Sequence, residues 1–283
     1  MKRRRTLLRE ILRWSMIIVF LIWILAPILW MVGTSLKTPA EQFDGHLRLF
    51  PENPAWDNYK KIWNTIPLAR YFMNSLLISL ITVIVCITIA SFASYALSKF
   101  RFRGREVFGI AALFTQLMPS VLFLLPIYIM MVMFQQKSGI QMTGTYKAVV
   151  LTYATFGIPF SIWMMRSYFD TIPGELSEAG LVDGCSRIQT FFRIILPLAA
   201  PGIAATAMYV FIVAWNEVLF ATVLTNETTR TFAIGLREFE KQYTKDYGQL
   251  MAASIVVSAP IVILFMAFQR LIVSGLTGGG VKE

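Results

Sequence analysis

The stretch Glu178-Ala179-Gly180-Leu181-Val182-Asp183-Gly184, followed after a fixed gap by Ile194-Ile195-Leu196-Pro197, decides how this chain is read. It is short and polar, and it lies between two long apolar runs. Pro173-Gly174 breaks the chain just before it. Glu175, Ser177 and Glu178 then fall in the first turn of a short helix, where negative charge complements the helix N-terminus. Gly184 is placed to end that helix, because glycine reaches the left-handed backbone conformation at low cost. Ser186 and Gln189 form a capping-box pair that opens a second helix. Ile188, Phe191, Phe192 and Ile195 give that helix an apolar face, and Pro197 is expected to stop it. Two short helices joined at a glycine bend make a knob, which fits a cleft in a partner and moves as a rigid body. On these residues alone, a plain connector between two spans remains the alternative.

The rest of the chain reads as membrane. Of 283 residues, 56% are hydrophobic and only 15% charged, and the mean hydropathy is +0.61. A soluble domain carries roughly 25% charged residues. Six apolar runs account for the deficit, at 14–36, 72–97, 107–134, 148–169, 200–224 and 250–272; each suits a helix of about 20 residues crossing a bilayer. The expected fold is therefore an all-α membrane protein of six transmembrane helices. Pro119, Pro126 and Pro159 interrupt the third and fourth runs. Such prolines are tolerated where neighbouring helices satisfy the freed carbonyls, which points to a packed bundle. The first run follows Lys2-Arg3-Arg4-Arg5 but is too long for a signal peptide, and no clean cleavage site follows it, so it reads as an uncleaved anchor.

Basic residues near the span ends set the orientation. Lys2, Arg3, Arg4, Arg5, Arg9 and Arg13 precede the first span, and Lys99, Arg101, Arg103 and Arg105 follow the second. Both clusters are expected in the cytoplasm, and the 170–199 loop and the C-terminus fall on the same side. The formal charge of +10 is mainly topological. Nucleic acid is a poor partner for it, because no basic stripe sits on a soluble domain. Cys86 lies mid-membrane and Cys185 in the loop, so neither is placed to form a disulfide. With one histidine, His46, and no cysteine cluster, a structural zinc site is not expected.

The segment from Lys37 to Arg70 is the first external region. Its prolines make it irregular, and Trp56, Tyr59, Trp63 and Tyr71 suit a headgroup surface or contact with an external partner. In the third external loop, Phe232, Leu236 and Phe239 recur at helical spacing and suggest a short amphipathic helix.

Intramembrane polar residues default to functional hypotheses. Trp215-Asn216-Glu217 lies about 20 Å along the fifth span, counted from Gly202. Asn and Glu bind sugar hydroxyls, and Trp offers a flat face to a pyranose ring. The bland reading is interhelical glue with an interfacial Trp. Gln116 and Tyr153 are further candidates for a solute path. No catalytic residue is proposed: one histidine outside the spans, and no acid pair at one depth, argue against an intramembrane enzyme.

Glu178-Ala179, Gly184, Ile194, Leu196 and Pro197 stand in the register of the EAA motif, and the loop resembles that of permease subunits of binding-protein-dependent ABC importers. Gly180 departs from the motif, in place of its second alanine. Three further stretches share the likeness to carbohydrate-type permeases: Phe100–Arg105, Phe211–Glu217 and the tail Gly275–Lys282. Together they reach across nearly the whole chain and are most similar to the maltose-type second permease. The resemblance implies a type I permease bundle whose loop couples to an ATPase through Glu178, Ala179, Gly180, Asp183, Gly184, Ile194, Leu196 and Pro197. It also implies a second, different permease, two cytoplasmic ATPases that bind ATP and Mg, an external solute-binding protein, and a sugar or oligosaccharide as substrate. The location implied is a bacterial or archaeal cell membrane. The sequence agrees on one independent point: it contains no phosphate-binding loop of the Gly-x-x-x-x-Gly-Lys-Ser/Thr type. Two other classes stay open here, a permease of the same kind for a polyamine or phosphonate, and an ATP-independent channel or secondary transporter.

Overall fold

The computed structural model describes residues 2–44, 48–241 and 246–278. His46, Lys245 and the tail from Gly279 to Lys282 lie outside the described residues. The chain divides into two compact units, one from Met1–Leu68 and Gly235–Ala259, the other from Ala69–Ile234 and Pro260–Glu283.

In the first unit, helix α1 (Lys2–Ser35) carries the first apolar run and continues back through the basic N-terminus. Its side chains from Ile11 to Trp30 are almost all exposed. In water that stripe would be a liability; in hydrocarbon it is the required surface. A single turn at Pro39–Gln42 opens with a Thr38/Glu41 capping box. Helix α2 (Asn58–Thr65) follows. Asn58 is buried, and its amide donates to the carbonyls of Ser35 at 2.9 Å and Lys37 at 3.1 Å. It thereby closes the last turn of α1, where orphan carbonyls need donors.

The second unit is the bundle. Helix α3 (Leu68–Lys99) runs 32 residues without a proline or glycine. The expected span at 107–134 is not one helix. Helix α4 (Arg105–Phe114) gives way to a 3-10 turn at Thr115–Leu117, the chain turns extended at Met118 and Pro119, and a second 3-10 turn leads into α5 (Leu124–Ser138). Pro119 causes the break, since it holds Met118 out of helical conformation. Pro126 falls in the first turn of α5, where its missing N–H is not needed. Pro159, by contrast, is carried inside the continuous α6 (Tyr146–Thr171).

Two short helices then fill the 170–199 loop: α7 (Gly174–Val182) and α8 (Arg187–Leu198). Pro197 does not stop α8. The helix runs on to Leu198 and meets α9 (Ala200–Asn216) at a 76° bend. The expected span at 200–224 is also broken: Glu217 is extended, and α10 (Leu219–Leu224) starts anew. Two single turns, Phe232–Gly235 and Glu238–Lys241, stand where one amphipathic helix was expected. Helix α11 (Tyr247–Gly278) completes the described chain.

Among the described residues, five helices are long and apolar enough to cross a membrane, and a sixth span arises if the bent pair α8 and α9 counts as one. Of these, α6 is the centre of its unit. Over half of its apolar window is buried, against 6% for α1 and none for Ser120–Ser138. It packs on α9, with Phe160 and Tyr209 ring centroids 4.2 Å apart. Because lipid tails are as apolar as leucine, close packing of this kind, not hydrophobic exclusion, holds such helices together.

Candidate functional site

Two sites emerge from this frame. The first is the loop between α6 and α9. Helix α7 starts after Pro173, and only Glu175 falls in its first turn; Glu178 sits mid-helix and exposed. The helix ends in a Schellman motif. The Gly184 N–H donates to Leu181 O at 3.1 Å, and the Cys185 N–H to Gly180 O at 2.9 Å. Gly184 takes φ +85°, which is why this position wants glycine. The expected capping box is present: the Ser186 N–H donates to Gln189 Oε1 at 2.8 Å, and the Gln189 N–H to Ser186 Oγ at 3.3 Å.

Downstream the helix widens into a π turn at Phe191–Ile195, where the Leu196 N–H reaches back to Phe191 O. The turn places Phe191 and Ile195 inward, both almost fully buried. Ile188 and Phe192 point the other way and are exposed. The expected single apolar face is therefore two faces. The outward one continues with Leu181 and with Val182, which is 87% exposed at the tip. Apolar side chains presented on a loop beyond the span ends mark a contact surface. Among the motif residues, Glu178, Ala179, Asp183, Gly184 and Pro197 are exposed. Ile194 and Leu196 are half-buried and Gly180 is buried.

The second site is a cavity of about 400 Å³ within the bundle. It gathers three of the sequence candidates, Gln116, Tyr153 and Glu217, beside Thr82 and Tyr209. The broken helices make it. Gln116 lies at the break after α4 and donates from Nε2 to Phe156 O at 2.8 Å, three residues before Pro159. Glu217 lies at the break after α9. Its carboxylate accepts from the Phe220 N–H at 2.9 Å and the Ala221 N–H at 3.1 Å. It thus caps the start of α10, where negative charge is favoured. The hydroxyls of Tyr153 and Thr82 are buried with no hydrogen-bond partner of normal geometry among the described residues. Glu217 is within electrostatic reach of Tyr153.

Trp215 and Asn216 are not at this cavity. Trp215 is 1% exposed. It stacks on Phe211 at 5.3 Å and packs against Phe232 at 4.7 Å and Phe72 at 5.6 Å. Its ring faces are taken, so the pyranose-stacking role is replaced by a packing role. Asn216 is exposed and bonds back to Ile212 O at 2.9 Å. Thr82 and Tyr209 escaped the sequence reading. The signal for Thr82 was present, as a polar residue inside an apolar run; Tyr209 carried none, because a tyrosine in a span is equally at home in the core.

The family described as "Binding-protein-dependent transport system inner membrane component" matches residues 86–278, well over half of the chain. The chain belongs to this family. The match takes in the whole 170–199 loop and most of the cavity of this permease. The permease is 35% identical, over 93% of both chains, to the inner membrane ABC transporter permease protein YcjP of Escherichia coli. It is 34% identical to the trehalose transport system permease protein SugB of Mycobacterium tuberculosis, covering 91% of this chain and 92% of that one. It is 33% identical to the trehalose/maltose transport system permease protein MalG of Thermococcus litoralis, covering 99% of both. Its fold is that of a chain in a bacterial ABC transporter involved in the import of the acidic polysaccharide alginate. There the TM-score is 0.77 and the identity 21%, covering 92% of this chain and 95% of that one. The permease is a multi-pass membrane protein of the ABC importer type.

Proposed function

We propose that this permease carries a sugar or oligosaccharide across the membrane as one of two unlike membrane subunits, driven by ATP bound with Mg and hydrolysed in two separate cytoplasmic subunits. An external solute-binding protein delivers the substrate. The chain binds no cofactor of its own. The N-terminus, the Lys99–Arg105 loop, the 170–199 loop and the C-terminus lie in the cytoplasm, and α7 and α8 are the port where an ATPase docks. The observation that carries this reading is the exposed apolar tip of the loop, Leu181, Val182 and Ile188, on a frame set by the Gly184 turn. The trehalose and trehalose/maltose transport systems to which the relatives belong support the substrate class.

The cavity favours a neutral, hydroxyl-rich solute over a polyamine or phosphonate. Among the described residues, no lysine, arginine or histidine lines it, so an anion finds no counter-charge there. A polyamine carries several positive charges, and the lining residues among those described offer it one carboxylate, Glu217, part of whose acceptor capacity goes to two backbone N–H groups. Gln116, Tyr153, Thr82 and Tyr209 offer the neutral donors and acceptors that sugar hydroxyls match.

The test is purification and reconstitution of the chain with its partner subunits. The expected result is that an ATPase co-purifies and that uptake of a labelled disaccharide requires ATP and the binding protein. Uptake that proceeds without ATP would return the channel or secondary-transporter reading. Orientation is checked with single cysteines at Gly174 and Glu227 in a variant lacking Cys86 and Cys185. An impermeant maleimide added outside should label position 227 and spare position 174.

A further inference from the structure

The two loop helices are joined by sequence to α6 and α9, yet the loop also has polar and aromatic ties to the end of α3. Lys99 Nζ, at the end of α3, donates to Ile172 O at 2.5 Å. Ile172 caps α6 and immediately precedes the Pro173-Gly174 start of α7. The guanidinium of Arg187, the first residue of α8, lies 5.1 Å from the Phe100 ring centroid. Phe191 of α8 packs against Tyr95 at 4.9 Å and Phe92 at 5.1 Å. The entry to the loop at Ile172 and helix α8 are thereby tied to the end of α3 and to Phe100 just beyond it.

At its far end α3 grips a different segment. Asn74 donates to Thr228 O at 2.9 Å and Arg230 O at 2.8 Å, and accepts from Tyr146 Oη at 2.7 Å. Ser75 Oγ accepts the Phe232 N–H at 2.9 Å. Phe72 meets Trp215 edge-on. From Asn74 to Lys99 the helix runs 25 residue steps free of proline and glycine, about 38 Å at 1.5 Å per residue. The α4–α5 and α9–α10 segments are broken within the bundle, and α6 carries Pro159. A broken helix absorbs displacement at its break, whereas an unbroken one transmits it.

We propose that α3 is the push-rod of this permease: it takes up movement of the docked knob at Lys99 and Arg187 and delivers it to the 226–232 segment through Asn74 and Ser75. Lys99 and Asn74 are positioning residues at the two ends. The proposal rests on the knob being the ATPase port, and the experiment separates the two.

The assay is the number of solute molecules imported per ATP hydrolysed by the full reconstituted complex, with ATPase co-purification measured alongside. Lys99→Met keeps the stem and removes the donor. It should lower the import ratio about fivefold, within the usual range of coupling between distant sites, while the ATPase still co-purifies. Lys99→Arg should restore it. Asn74→Leu should give a similar loss, with Ser75→Ala as the milder variant if Asn74→Leu fails to assemble. Sites this far apart ordinarily act independently. A rod released at one end gains nothing from the other, so the double variant should be no worse than the worse single one. Multiplying losses in the double variant, or full coupling in both single variants, overturns the proposal. Val182→Asp at the tip reports the port separately: normal co-purification and coupling in that variant would remove the port reading, whereas failure of the rod alone leaves Val182→Asp defective and the α3 variants normal.

Discussion

Ile194 lies directly over Gly180, so close that a Cβ added at Gly180 would come within 2.6 Å of Ile194 Cδ1. The glycine that departs from the family motif is therefore the contact that joins α7 to α8. The obstruction is the far end of a flexible side chain, which makes the outcome of substitution specific. Gly180→Ala should be tolerated, because rotation of Ile194 offsets a helix-propensity gain of about 0.5–1 kcal/mol. Gly180→Leu should force the helices apart and reduce ATPase co-purification. Equal co-purification of the two variants would show that the α7–α8 spacing is not read by the partner.

Gly184 poses a different problem. A Cβ there meets nothing within 4 Å among the described residues, but the backbone sits at φ +85°. Within the chain, a bulky residue costs only the left-handed conformation, about 1–2 kcal/mol. Asn visits that region routinely, so Gly184→Asn should keep normal coupling. Gly184→Phe should uncouple transport from ATP hydrolysis. Substrate-stimulated ATPase activity is the readout, and normal stimulation in Gly184→Phe would make the loop a mere connector.

Glu217 and Asn216 are neighbours with opposite expectations. Glu217→Leu leaves the N–H groups of Phe220 and Ala221 unpaired, at about 1–3 kcal/mol for each buried group left without a partner, and should reduce the amount of assembled complex. Glu217→Gln keeps one acceptor and should fall between. Asn216→Leu loses only a bond within its own helix, so assembly should hold. Quantitative immunoblotting of purified complex decides; full assembly of Glu217→Leu would mean that the cap is dispensable.

Tyr153 offers the cleanest separation of transport from stability. Its buried hydroxyl lies near the Glu217 carboxylate but has no hydrogen-bond partner of normal geometry among the described residues, so Tyr153→Phe should change thermal stability little. Uptake should fall several-fold, mainly through a higher KM, if a solute hydroxyl normally satisfies that group. Unaltered KM and kcat in both Tyr153→Phe and Gln116→Leu would move the solute contacts to the other permease.

Glu106 ties α4 to α6. Its carboxylate accepts from Arg166 Nη2 at 2.8 and 3.1 Å. That hydrogen bond, helped by the charges of Arg166 and Arg105, holds the Glu106 carboxyl below its ordinary value of 4.5. A depressed folded value means the stabilisation is present above pH 4.5 and lost as pH falls through the lower folded value. Glu106→Gln should therefore melt at a lower temperature than the parent at pH 7, with the gap closing below pH 4.5. High salt should shrink the gap as well, because the pair is exposed. A gap that does not change with pH would assign the effect to packing instead.

The physics of short range explains what was legible in the residues alone. The apolar runs, the Gly184 turn and the Ser186/Gln189 capping box depend on hydropathy and on backbone chemistry within a few positions; the turn and the capping box stand in the structure as the residues foretold, while the third and fifth runs are broken. The motif register around Glu178 and Pro197 carried the family. The breaks at Pro119 and Glu217 were hidden because hydropathy does not distinguish a straight span from two half-helices; only packing against α6 and capping of α10 decide it. Trp215 and Glu217 are two positions apart in sequence and read as one cluster. A turn of backbone sends the first into an aromatic core and the second to a cavity with Tyr153 and Gln116. Phe191 and Phe192 are adjacent and chemically alike, yet the π turn buries one and exposes the other. The attachment of the loop to α3 through Lys99 and Ile172 spans 73 residues, and no local rule specifies which distant carbonyl a lysine will find. Local propensity set the elements; the requirement that each buried polar group find a partner, met only once the helices are packed, set the sites.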